Sequence, residues 1–165
     1  MDRLWTPWRY SYITKAGGES SACIFCDKAR PGADRENLVV HRGQACYVLL
    51  NLFPYTNGHL MIAPYEHVDS LAACSEEAAL EMMRLARRAE TVLRSVYRPQ
   101  GLNLGMNLGE CAGAGVAGHI HLHVLPRWVG DAGFMSTVGE TRILPETLDV
   151  TWERLRAAFP ADTTA

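Results

Sequence analysis

The sequence predicts an α+β domain with a mainly antiparallel sheet, one long helix and one short C-terminal helix. Three observations carry that expectation. Several short runs alternate apolar with polar residues, one longer stretch repeats apolar residues every three or four positions, and strands lie on both sides of that stretch in sequence. A chain of 165 residues suits a single domain, and 48% hydrophobic with 21% charged residues is an ordinary globular composition.

The elements follow in order. Residues 1–20 hold Trp5, Pro7, Trp8 and Tyr10 without a regular period, so they read as an extended aromatic arm. The domain is expected over 21–160, with a tail at 161–165. Runs at 37–41 and 45–52 are rich in strand formers and are separated by Arg42, Gly43 and Gln44, which predicts a hairpin. A third strand is expected at 58–63. Ser75 caps the long helix, Glu76 and Glu77 match the positive end of its dipole, and Pro99 with Gly101 stops it. Its apolar face is Met82, Leu85, Ala86, Ala89, Leu93 and Val96. Alternation predicts strands over 102–109 and 119–125, and Leu148, Trp152, Leu155 and Phe159 predict a closing helix from about Pro145.

Net charge is −2, which gives no electrostatic stripe for a nucleic acid polymer. No apolar run approaches the roughly 20 residues that span a bilayer, and the N-terminus lacks a signal-peptide core, so a cytoplasmic location with no membrane partner is expected. Five cysteines leave one unpaired in any disulfide framework, and a reducing compartment favours metal binding or burial for them.

The chemistry gathers around His119, His121 and His123. On a strand these three imidazoles share one face, while Ile120, Leu122 and Val124 take the other. Neutral imidazole is a competent nucleophile toward phosphorus. Three histidines and a water could alternatively hold a catalytic zinc. The preceding run from Gly109 to Gly118 is small and glycine-rich, and such backbone lets amide groups approach an anion closely. Gly113, Gly115 and Val116 are the candidate phosphate contacts there. Cys23 and Cys26 have the spacing at which two thiolates meet one tetrahedral zinc, and supply half its ligands.

The run from His119 to Leu125 resembles the histidine triad family, whose motif is His-φ-His-φ-His-φ-φ with φ hydrophobic. Similarity extends through Pro126 and Arg127 and upstream over 51–59, and covers about residues 20 to 145. Trp5, Pro7, Trp8 and Arg9, with Gly130, Asp131, Phe134 and Met135, resemble the bacterial branch associated with diadenosine tetraphosphate cleavage or phosphorolysis. The resemblance implies the histidine triad fold. It also implies that His121 is the nucleophile, that His123 contacts the phosphate, that His59 supports the site, that Asn51 meets the ribose and that Asn107 holds a phosphate oxygen. His67 and His119 would complete a structural zinc site with Cys23 and Cys26.

The function so implied is cleavage of a dinucleoside polyphosphate, with diadenosine tetraphosphate the first candidate, through a nucleotidyl-His121 intermediate. Phosphorolysis releasing ADP and a binding module with little turnover are the alternatives. A homodimer is expected from the resemblance. The chain departs from the family where many relatives carry Ser or Gln shortly before the first histidine, since Gly115, Val116, Ala117 and Gly118 stand there and leave no side chain to protonate a leaving group.

Overall fold

The computed structural model describes residues 23–139, 141 and 143–159, so the expected arm and tail lie outside the described residues. The described elements are α1 (Ile24–Ala29), β1 (Val39–Arg42), β2 (Cys46–Leu50), β3 (Leu60–Pro64), α2 (Glu76–Tyr97), β4 (Gly101–Gly105), β5 (Leu122–Arg127), α3 (Phe134–Thr137) and α4 (Leu148–Ala158), with a single 3-10 turn at Glu110–Ala112. The strands form one five-stranded sheet in the order β1-β2-β3-β5-β4. Every neighbouring pair is antiparallel. The α+β class and the antiparallel sheet are as expected, and the helices are more numerous than expected, because α1 and α3 are too short to show a helical period in the sequence.

Both faces of the sheet are covered, which is why β2 and β3 are buried at every position. Val48, Leu50, Ile62, Leu122 and Val124 face a core completed by Met82, Leu85, Ala89 and Leu93 of α2 and by Leu155 of α4. On the opposite face Val39, Tyr47, Leu49, Met61 and Ala63 form a second cluster with Phe25 of α1. The site develops on this second face.

Local chemistry explains the boundaries. The Ser75 hydroxyl accepts the Ala78 N–H at 3.2 Å and starts α2. Arg98, at φ 48°, ends it in a left-handed turn before Pro99. The hairpin turn is braced by Glu81 of α2, whose carboxylate accepts the N–H groups of Gln44, Ala45 and Cys46. The closing helix begins at Leu148 rather than near Pro145, because the Thr147 hydroxyl is the cap that receives the Val150 N–H.

All five strands are shorter than expected, and the changes in two of them bear on the site. β4 ends at Gly105, opposite His123, and Leu108 beyond it is exposed. The Asn107 amide donates to the Gly113 carbonyl at 3.2 Å, which turns the chain out of the sheet. β5 begins at Leu122, because the Ile120 N–H donates to the Val68 carbonyl at 2.8 Å instead of joining the ladder. His119 and His121 therefore precede the strand. Among the described residues no helix is long and apolar enough to cross a membrane.

Candidate active site and metal centre

Antiparallel register sets one row across the second face. Val39 pairs with Leu49, Leu49 with Met61, and Met61 with His123. A cleft opens over this row. It is lined by all seven residues expected at a nucleotide: Asn51, Asn107, Gly113, Gly115, Val116, His121 and His123. The other wall was not foreseen. Ile24, Phe25 and Lys28 of α1 complete it with Leu52, Phe53 and Met61. The only sequence signal for α1 was a pair of apolar residues between two cysteines, which reads as metal-ligand spacing before it reads as a pocket wall.

His121 is buried, and its Nδ1 lies 2.9 Å from the carbonyl oxygen of His119. A carbonyl only accepts, so Nδ1 carries the ring proton and Nε2 keeps its lone pair. Burial pushes the His121 pKa below the ordinary imidazole value, which keeps the ring neutral at neutral pH. Phe25 packs on this ring with centroids 4.5 Å apart and a tilt of 31°, fixing its plane.

His59 and His123 form a directed pair. The His59 Nδ1 receives the Tyr55 backbone N–H at 3.2 Å and faces the Asn51 amide nitrogen at 3.4 Å, so it is the unprotonated nitrogen. His59 Nε2 then donates to His123 Nδ1 at 2.8 Å, which places the His123 proton on Nε2. Asn51 has a second duty, since its side-chain oxygen accepts the Phe53 N–H at 2.9 Å and shapes the turn after β2. Tyr55 covers the pair, with its ring 4.7 Å from that of His59.

The glycine-rich segment turns through Gly109 and Gly113, whose φ values of 84° and 93° suit glycine. Among the described residues the N–H groups of Gly115 and Val116 have no protein acceptor, and both residues line the cleft. They offer two donors for an anion.

The three histidines share one face, since Phe25 packs on both His119 and His121 and His121 lies against His123, but their tasks divide. His119 lines no part of the cleft; its Nε2 donates to the Pro64 carbonyl at 2.9 Å, which leaves the Nδ1 lone pair facing the thiols. Cys23 Sγ and Cys26 Sγ lie 3.4 and 3.6 Å from this nitrogen, and Cys26 Sγ lies 3.3 Å from His67 Nδ1. All four donor atoms fall within 4.8 Å of one another. A tetrahedral ion with sulfur at about 2.3 Å and nitrogen at about 2.0 Å has sulfur-to-nitrogen edges of about 3.5 Å, so these separations are those of a ligand shell. Burial and the neighbouring Cys23 push the Cys26 thiol pKa up, a cost that a bound cation removes. The arrangement disfavours a catalytic metal on the three triad histidines, because His119 Nδ1 faces the thiols and its Nε2 is taken by the Pro64 carbonyl, which leaves neither nitrogen for an ion shared with His121 and His123.

The comparisons agree with this geometry. The HIT domain family matches residues 33–129. The chain is 40% identical over 154 residues to an AP-4-A phosphorylase of Mycobacterium tuberculosis, covering 90% of this chain and 79% of that protein. It is 30% identical over 112 residues to Protein hit of Bacillus subtilis, covering 68% and 75%. Among solved structures, a zinc-bound histidine triad family protein from Mycobacterium smegmatis superposes with a TM-score of 0.65 at 26% identity, over 84% of this chain and 93% of that one.

The hydrogen-bond pattern predicts the ring tautomers. Long-range proton–nitrogen NMR at neutral pH should show the Nδ1–H form for His121 and the Nε2–H form for His59 and His123. An Nε2–H signal at His121 would mean that its nucleophilic nitrogen is blocked.

Proposed function

Since the chain belongs to the HIT domain family and is an enzyme of it, we propose that it is a phosphorylase of dinucleoside polyphosphates, with diadenosine tetraphosphate as the first substrate and His121 as nucleophile. The observation that carries the reading is the His121 tautomer, whose unprotonated Nε2 belongs to a ring lining the cleft. Nε2 attacks the phosphorus nearest one nucleoside, its bond to the bridging oxygen breaks, and ATP departs. Nucleotidyl-His121 remains. An oxygen of inorganic phosphate then attacks the same phosphorus, the P–N bond breaks, and ADP leaves with His121 restored.

Each neighbour has a proposed task. Gly115 and Val116 donate to the oxygens on which charge builds, as in an oxyanion hole. His123, supported by His59, donates from Nε2 to the same group. Asn107 holds the loop in place through Gly113, in addition to the phosphate contact implied by the family, and Asn51 meets the ribose. No carboxylate lines the cleft among the described residues, so drawing a proton from water would fall to imidazoles already engaged with the phosphorus. An acceptor that brings its own negative charge fits such a site better. The relative named for phosphorolysis points the same way.

The metal in the thiol and imidazole cluster is proposed to be zinc, held by Cys23, Cys26, His67 and His119 in a structural role. The solved zinc-bound relative supports that identity. All five cysteines are free thiols, which suits a reducing cytoplasm. A homodimer is proposed from the exposed edge strand β4, where Leu104 is 46% exposed and Leu108 beyond it 45%.

His121→Ala should lower turnover on the order of 10⁴-fold or more while nucleotide binding persists. With the unaltered enzyme, ADP should appear from diadenosine tetraphosphate only when phosphate is supplied; AMP in its absence at a similar rate would establish hydrolysis instead. Elemental analysis should find about one zinc per chain, as one four-ligand site requires. Cys26→Ser should remove it and lower the melting temperature, and an unchanged metal content in that variant would overturn the assignment. Light scattering over a dilution series should give twice the chain mass, and a monomer at every concentration would remove the dimer.

A further inference from the structure

Among the described residues Lys28 is the single cationic side chain lining the cleft, whose floor and far wall are otherwise Ile24, Leu50, Leu52, Phe53 and Met61. It follows Ile24 by four positions on α1, so both project from the same helix face. Its ammonium donates to the Asn37 carbonyl at 3.2 Å. No carboxylate pairs with it among the described residues, so two of its three donors remain for a ligand.

The sheet register says which part of a ligand they meet. Leu38 and Leu50 are joined by a backbone hydrogen bond, as are Asn51 and His59, so Asn37 lies at the level of Asn51 but in the turn that leads into the far edge strand. From His123 to Val39 the row crosses three strand spacings of about 4.8 Å, roughly 14 Å in all. Lys28 is therefore anchored at the opposite end of the cleft from the triad. A nucleotide whose phosphorus meets His121 extends its ribose past Asn51 and its base toward this end.

We infer that Lys28 reads the rim of the nucleobase and admits guanine by donating to O6 and N7. The inference rests on the nucleotide reading of this cleft. Lysine has donors only, and guanine presents two adjacent acceptors, whereas adenine sets an amino donor beside its N7. The substrate class therefore includes guanosine-bearing dinucleoside polyphosphates.

Calorimetric titration of the full chain with GMP and with AMP tests this, using the wild type, Lys28→Met and Lys28→Arg. In Lys28→Met, GMP should weaken about tenfold relative to AMP, the discrimination one base-edge contact of this kind supplies. Lys28→Arg, which keeps paired donors, should retain the wild-type ratio of GMP to AMP affinity. An unchanged GMP to AMP ratio in Lys28→Met, or equal weakening of both, overturns base reading by Lys28 and leaves the nucleotide site standing. Failure of the wild type to bind either nucleotide overturns the nucleotide reading itself.

Discussion

A helix of six residues has no stability of its own, so the cleft depends on what fastens α1 to the sheet. At the N-terminal end the donor atoms of Cys23 and Cys26 meet those of His67, after β3, and His119, before β5. At the C-terminal end Arg42 of β1 donates to the carbonyls of Ala29 and Arg30 at 2.5 and 2.9 Å and pairs with Asp34 at 2.8 Å. Between these ends the Tyr47 hydroxyl donates to the Phe25 carbonyl at 2.7 Å. Phe25 and Lys28 are thus held over the sheet by groups drawn from several distant parts of the chain. A metal in the cluster need not touch the substrate to matter to catalysis, because it fixes the residue that packs on His121.

The rest of the site is positioned by the two-sided sheet. Leu122 and Val124 are buried against α2, and that burial commits His123 to the opposite face. The orientation of His121 is set within its own segment, by the carbonyl two residues before it, and by Phe25 above. His59 precedes β3, and its Nδ1 is capped by the Tyr55 N–H of the turn between β2 and β3. His121 and His59 are therefore oriented by backbone groups, whose positions the sheet determines, and His123 is oriented through His59.

This division explains what could be read in the sequence. The long helix was legible because Ser75, its two glutamates and an apolar face lie in one uninterrupted stretch. The alternation of His121 and His123 with Leu122 and Val124 was legible because β5 is a half-buried strand with a period of two. Alternation places His119 on the same face but cannot show its separate task, because the thiols that its Nδ1 meets come from α1 and the residue before it. The gathering of Asn51, Asn107 and Gly113 was implied by family resemblance alone, since no local pattern links residues so far apart. Lys28 carried no signal at all. Its place in the cleft follows from the packing of α1, and two turns of helix are too short to show which face is buried.

The proposed chemistry also has a consistent electrostatic design. A polyphosphate brings several negative charges, yet among the described residues the only fixed cation lining its cleft stands at the far end from the triad. Near His121 the available groups are neutral imidazoles and backbone N–H donors, with burial pushing the His121 pKa down. Cations beside the scissile phosphorus would hold both the bound substrate and a phosphate acceptor strongly in the ground state. Fixed dipoles act more selectively, because they are aligned toward the oxygens that gain charge as the P–N bond forms and need no reorganisation when it does. A neutral site of this kind can bind a polyanion loosely, let one product leave and accept an anionic second substrate at the same phosphorus, as a two-step transfer to phosphate requires.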